Sequence, residues 1–299
     1  MSFLALFLMA APDDPADALA KKMLPIYVKE AEAYSLAVKS DPKKALELKK
    51  EPVFEWSNPT RNGGQQGVVF LWLRDGRPAA AGCIFSSPET VVKSPGARRI
   101  EHEFHALDPE LLLVTRDALN QWKPQDGLAR RELPDAPAPA DTAVARKLQM
   151  VRLAEGFTGH TVDAARKERF ELRVLRTPLY RYPTAKTGVI DGALFALVSE
   201  AGTDPEVLLV IEAKEENAKV RFEYALGRFS DCEIHVSLKG KDGKGTEVFS
   251  SVPSEENPFR HNPKHTYRTY QDKVIAPDGK LLARIKQDER GSHVVPVEK

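Results

Sequence analysis

The chain has 299 residues, 42% of them hydrophobic and 29% charged, which suits about two ordinary domains and is too apolar for wholesale disorder. Lysine and arginine number 44 against 43 acidic residues, for a net charge of +1. That balance argues against a nucleic-acid partner, whose phosphates demand a clustered basic excess.

The first residues form a short apolar run, Phe3-Leu4-Ala5-Leu6-Phe7-Leu8-Met9-Ala10-Ala11, followed by Pro12-Asp13-Asp14-Pro15. An apolar run that ends in small residues has the shape of a secretory signal, although no Lys or Arg precedes it here. Residues 1–12 therefore predict export to the periplasm or cell envelope. No other run approaches the ~20 apolar residues that cross a bilayer, so no membrane span is expected.

From about Asp14 to Lys50 apolar residues recur at helical spacing, among them Leu19, Met23, Tyr27, Ala31 and Tyr34. Pro25 divides the run, and Asp41 with Pro42 is placed to start a second helix. Strands are predicted at 52–56, 67–74 and 79–85, the last two joined by Arg74-Asp75-Gly76-Arg77-Pro78. Another strand covers 98–107. Residues 111–122 suit a strand or a helix equally. Pro134-Asp135-Ala136-Pro137-Ala138-Pro139-Ala140 reads as a stiff linker between a first domain, 13–133, and a second, 141–255. Asp141 or Thr142 caps a helix that runs to about Gly156. Strands follow at 170–175, 190–199, 207–212, 220–228, 232–238 and 246–252. Residues 256–299 form a polar tail with a hairpin around Asp278-Gly279.

The two halves echo one another. Each starts with a helix, reaches a Pro-Thr loop (Pro59-Thr60 and Pro183-Thr184), and then enters a glycine-led apolar strand at Gly67 or Gly192. The expected fold is therefore α+β, with two tandem helix-plus-antiparallel-sheet domains produced by duplication. A sandwich is the alternative for the second half.

Asn58-Pro59-Thr60-Arg61, Gly64-Gln65-Gln66-Gly67-Val68-Val69-Phe70-Leu71-Trp72, Asp75-Gly76-Arg77-Pro78 and Asp191-Gly192-Ala193-Leu194-Phe195-Ala196 together resemble a family of uncharacterised exported bacterial proteins. The resemblance spans most of the chain outside the tail. It implies an envelope location and assigns no activity to any residue.

No nucleotide-binding, serine-hydrolase, EF-hand or zinc-ligand spacing occurs, so no cofactor or metal is expected. Cys83 and Cys232 lie in strand-like runs and form no framework, though a single disulfide between them is open. The densest chemistry is Glu101-His102-Glu103-Phe104-His105. In a strand Glu101, Glu103 and His105 share one face and His102 takes the other. Pairing Ala106-Leu107 with Ala225-Leu226 sets Glu103 opposite Phe222, an inward apolar position, so the first half would carry polar groups where the second carries core. Arg61, Arg98 and Arg99 are available as counter-charge. The competing reading puts a helix against Ile100 and Phe104 and leaves the acidic row in solvent. Glu233 and His235 read as surface; His261, His265, Phe259, Tyr267 and Tyr270 mix basic and aromatic groups that could grip an anionic polymer or a sugar, but in such a tail read rather as a docking strap or a disordered end. Two functions follow: a non-enzymatic exported protein that binds a small ligand or a protein partner, or a hydrolase using Glu101, Glu103 and His105 as acid–base groups.

Overall fold

A computed structural model describes residues 15–116, 122–163, 167–184, 188–217, 219–253, 264–288 and 291–297. The signal-like segment, Phe259 and His261 lie outside the described residues. Helix α1 (Pro15–Glu32) contains Pro25 and buries Met23, Tyr27 and Ala31, one face at four-residue spacing. The Tyr27 hydroxyl reaches Ser86 Oγ at 2.7 Å, which fixes the helix to the sheet below it.

Where the second helix was expected the chain is extended: β1 (Ser35–Val38), β2 (Asp41–Ala45) and β3 (Glu47–Asn58). Leu36, Ala37 and Val38 are buried in succession, which a surface helix does not allow. Pro42 is tolerated because β2 is an edge strand. A 3-10 turn (Arg61–Gly63) leads into β4 (Gln65–Arg74), β5 (Arg77–Pro88), β6 (Arg98–Ala106), β7 (Leu112–Thr115) and the short β8 (Arg131–Glu132).

Helix α2 (Ala143–Ala154) is capped by Thr142, whose hydroxyl accepts from the Ala145 N–H at 3.2 Å. Eight strands follow: β9 (Phe157–Asp163), β10 (Glu168–Val174), β11 (Tyr180–Thr184), β12 (Val189–Ser199), β13 (Pro205–Glu216), β14 (Lys219–Arg228), β15 (Glu233–Lys239) and β16 (Gly245–Ser251). The C-terminal segment forms β17 (Tyr267–Ile275), β18 (Leu281–Asp288) and β19 (Gly291–Pro296).

These strands make a seven-stranded sheet, β19-β18-β17-β6-β5-β4-β3, and a nine-stranded sheet, β16-β15-β9-β10-β12-β13-β14-β8, with β11 also paired to β12. Strands β2-β1-β7 form a third, small sheet. All pairings are antiparallel.

The two-faced apolar strands explain the layering. On β4, Val68, Phe70 and Trp72 pack towards α1, while Val69, Leu71 and Leu73 face the other way. On β12 and β13, Phe195, Leu209 and Ile211 pack towards α2, and Leu194, Leu208 and Val210 meet the first sheet. The molecule is thus layered as α1, seven-stranded sheet, nine-stranded sheet, α2, because alternate residues of the central strands serve different cores. Gly82 is the contact point of one core: a Cβ there would lie 2.5 Å from Phe104 Cε1 and 2.7 Å from Trp72 Cζ3.

The expected class is therefore corrected. The chain is mostly β, 57% strand and 12% helix, and not α+β in two tandem duplicated units. The helix-then-meander order occurs in both halves, but their sheets differ. The first half divides its strands between two sheets and gains β17–β19, whereas β8 crosses over to pair with β14. The sandwich considered for the second half alone is formed instead by one sheet from each half. Ion pairs pin its ends: Arg77 of β5 holds Glu212 of β13 through a two-pronged contact, Nε at 2.7 Å and Nη2 at 2.6 Å. Among the described residues no helix is long and apolar enough to cross a membrane.

Candidate functional site

Strand β6 runs through the middle of the molecule, with β5 on one side and β17 on the other. Its Ile100 and Phe104 join the core under α1, as one of the two readings required. The opposite face is not solvated, because the nine-stranded sheet covers it. Glu103 and His105 are only 8% and 4% exposed. The expected register between the halves is also off by one residue. Phe222, Tyr224 and Leu226 face α2, whereas Ala225 belongs to the core between the sheets. Glu103 therefore matches the inter-sheet positions of β14 and not Phe222, since a one-residue slip inverts every side chain of a strand.

A cavity of about 110 Å³ lies between the sheets at Glu101 and Glu103. Arg61, Asp204 and Asp231 complete its charged wall, and Trp56, Phe85 and Phe229 its aromatic one. The Tyr267 hydroxyl donates to Glu103 Oε1. Burial pushes the Glu103 carboxyl well above the usual range, Asp231 and Glu206 push the same way, and the Tyr267 bond and Arg61 offset part of it. The Glu103 environment therefore favours the protonated acid over the carboxylate. Glu101 accepts from Ser87 Oγ at 2.7 Å and from Gln271 Nε2 at 3.4 Å.

Arg61 is positioned by local turn chemistry. Asn58 Oδ1 accepts from the Thr60 N–H at 3.2 Å, the Thr60 hydroxyl at 2.8 Å and the Arg61 N–H at 3.1 Å, an Asx turn. This is what the Asn58-Pro59-Thr60-Arg61 motif builds. The guanidinium then bridges to the second half, with Asp204 Oδ2 at 2.8 Å and Glu206 Oε1 at 2.9 Å. Asn58 Nδ2 holds the other Asp204 oxygen at 3.0 Å. Glu206 is fully buried, and that burial raises its pKa in spite of Arg61.

His105 does not share this cavity. It lines a separate one of about 340 Å³ with Leu128, Tyr224 and His265. Its Nδ1–H donates to the Ala106 carbonyl at 2.8 Å, and burial lowers its pKa to about 3, so the ring is neutral. Tyr267 and Arg228, whose guanidinium lies 5.3 Å from the Tyr267 ring centre, are part of the same buried region. Glu101, Glu103 and His105 share a face but do not all converge: Glu101 and Glu103 border one cavity and His105 the other. Of the other arginines proposed as counter-charge, Arg99 binds Glu89 at 2.7 Å, and Arg98 contacts Ser86 Oγ, which also meets Tyr27 of α1.

His102 lies on the α1 side with Glu30 and Asp272, their ligating atoms within 4.8 Å of one another. That spacing suits a cation, but Arg116 and Lys273 already pair with both carboxylates. Two negative charges against two positive ones make a compensated ion cluster. His102, lowered first by burial, stays neutral within it, with the Tyr34 hydroxyl on Nδ1 at 2.9 Å.

His235 sits between Glu233 and Glu247, 2.8 Å from each, and stacks on His160 at 4.8 Å. Both cysteines are free; Cys83 accepts the Trp56 indole N–H at 3.2 Å. Sequence reasoning missed Asp204 and Glu206, which reach Arg61 across more than 140 residues, and also Asp231 and Arg228. It also passed over the alternation Tyr267, Thr269 that marks β17 as a strand with a face towards Glu103. No family model, curated protein or solved structure matches the chain.

Proposed function

We propose that this protein is an exported, non-enzymatic binding protein that holds a small organic cation in the acidic cavity between its sheets. The export part rests on the apolar run at residues 3–11. The binding part rests on one observation: Glu103, a buried carboxylic acid whose pKa burial raises, lines a cavity that sets three further carboxylates, Glu101, Asp204 and Asp231, against the single guanidinium of Arg61, beside aromatic rings. An ammonium group entering there meets carboxylate acceptors and aromatic faces together, which is the chemistry that recognises organic cations. The cavity's volume suits a small head group, not a polymer. The hydrolase alternative is disfavoured because its imidazole, His105, opens onto the other cavity and is already committed to Ala106.

Calorimetric titration with ethylammonium, and with uncharged ethanol as control, tests the reading. Ethylammonium should bind more tightly as pH rises, because a bound cation favours the ionised form of Glu103. Glu103→Gln should weaken it by roughly tenfold, the scale of one charge-assisted hydrogen bond. Equal binding of ethanol and ethylammonium, or an unchanged affinity in Glu103→Gln, would sink the proposal.

A further inference from the structure

Arg98 is a buried cation with no carboxylate beside it among the described residues. It is 8% exposed. Its hydrogen bonds all end on uncharged oxygens: Nε to Ser86 Oγ at 2.7 Å, Nη2 to the Ser86 carbonyl at 2.8 Å and to the Gly64 carbonyl at 3.1 Å. Arg61 and Arg77, by contrast, each grip carboxylates, at 2.8 and 2.6 Å. Burial draws the Arg98 pKa down, and only Tyr27 offsets it. A guanidinium taken out of water without a counter-ion is costly, so its retention needs a reason.

A cavity of about 420 Å³ adjoins Arg98 at the end of the first sheet beneath α1. It is distinct from the acidic cavity, although Trp56 and Gln65 border both. Leu19 and Ala20 of α1, with Trp56 and Pro59, give it an apolar wall. Gln66 also lines it; this side chain is 8% exposed and its Nε2 has no hydrogen-bond partner. Gln66 pairs across the sheet with Ser86, the residue Arg98 binds, so the amide and the guanidinium flank the same position. One uncompensated cation and one unanswered amide donor border a space with an apolar side. Exposed Asp17 and Glu55 at the rim repel a multiply charged anion.

We infer that this cavity binds the carboxylate of a small amphipathic acid, its head group at Arg98 and Gln66 and its apolar body along Leu19, Ala20 and Trp56. The acid supplies the counter-ion that the fold omits. It is singly charged, which matches one unpaired guanidinium and suits the acidic rim. This site is independent of the organic-cation reading, since the two cavities present opposite charge.

The test uses the full chain, with hexanoate, its neutral counterpart hexanamide, and inorganic phosphate as probes. Hexanoate should bind saturably, and hexanamide and phosphate each more weakly by roughly tenfold or more. Arg98→Met should erase the preference for hexanoate over hexanamide, while Arg98→Lys, which keeps the charge and loses the fork, should retain part of it. Because Arg98 also ties down two carbonyls, Arg98→Met can loosen the fold. Ala20→Trp therefore fills the cavity from α1 without touching the guanidinium. It should abolish hexanoate binding and leave ethylammonium binding as it was. Equal binding of hexanoate and hexanamide, no hexanoate binding at all, or an Ala20→Trp protein that still binds hexanoate would each overturn the inference.

Discussion

Replacing Glu103 by Gln should make the protein more stable at neutral pH, and increasingly so as pH rises. The substitution keeps the side-chain volume and an acceptor for the Tyr267 hydroxyl. It removes a proton that the folded protein holds too tightly. The unfolded chain ionises near the ordinary value of 4.5, whereas the folded form stays protonated well above it. Below 4.5 both states carry the proton and the group has no effect on the pH dependence. Above 4.5 the unfolded state releases its proton first, so wild-type stability falls as pH rises towards the folded-state value. The slope is at most about 1.4 kcal/mol per pH unit for the one proton involved. Urea unfolding of wild type and Glu103→Gln across pH 4 to 8 measures this directly. The two curves should coincide near pH 4 and diverge above it, the variant becoming the more stable. A difference that is flat with pH, or a variant that loses stability as pH rises, would refute the assignment of Glu103 as a buried neutral acid.

Three further outcomes are expected. Glu212→Gln leaves the Arg77 and Arg130 guanidinium groups buried against a neutral amide, and should cost about 3–5 kcal/mol in chemical unfolding. In wild type the Glu212 carboxyl lies at about 2, so its stabilising effect is complete above 4.5 and drains away as pH falls from there through about 2. The Glu212→Gln protein should show a shallower acid-side decline, and an identical one would contradict the pairing. Gly82→Ala drives a methyl group into Phe104 and Trp72, and should lower the melting temperature through about 1–3 kcal/mol of overpacking. N-terminal sequencing of the protein from its host should find a chain starting near Pro12 or Asp13; an intact Met1 in the cytosolic fraction would end the export proposal.

Much of the strand inventory was legible in the residues. Continuous apolar runs such as Val68–Leu73 and Ala193–Val198 state that a strand is buried on both faces, because alternation of side chains leaves no polar side to expose. Asp75-Gly76 specified its hairpin, with Asp75 at φ 50 and Gly76 at φ 83 in the left-handed region that such turns require. Asp141-Thr142 marked the start of α2 to within a residue, and the structure uses Thr142, whose hydroxyl accepts an otherwise unmet N–H. The grouping of Glu101, Glu103 and His105 on one face followed from strand periodicity alone.

Only the tertiary structure decided the rest. Periodicity cannot say what covers a face, so the acidic row could be solvent or core until the second sheet was seen to lie over it. Residues 35–45 have a composition that suits a helix, yet pairing between Ser35–Val38 and Leu112–Thr115 makes them extended, since burial of Leu36, Ala37 and Val38 outweighs local propensity. Tyr267 reached Glu103, and Asp204 and Glu206 reached Arg61, from strands more than 140 residues away. Arg98 and Arg61 look alike in the sequence. Among the described residues one acquires two carboxylates and the other none, because a counter-ion is set by which strands the fold brings together and not by the residue's neighbours along the chain.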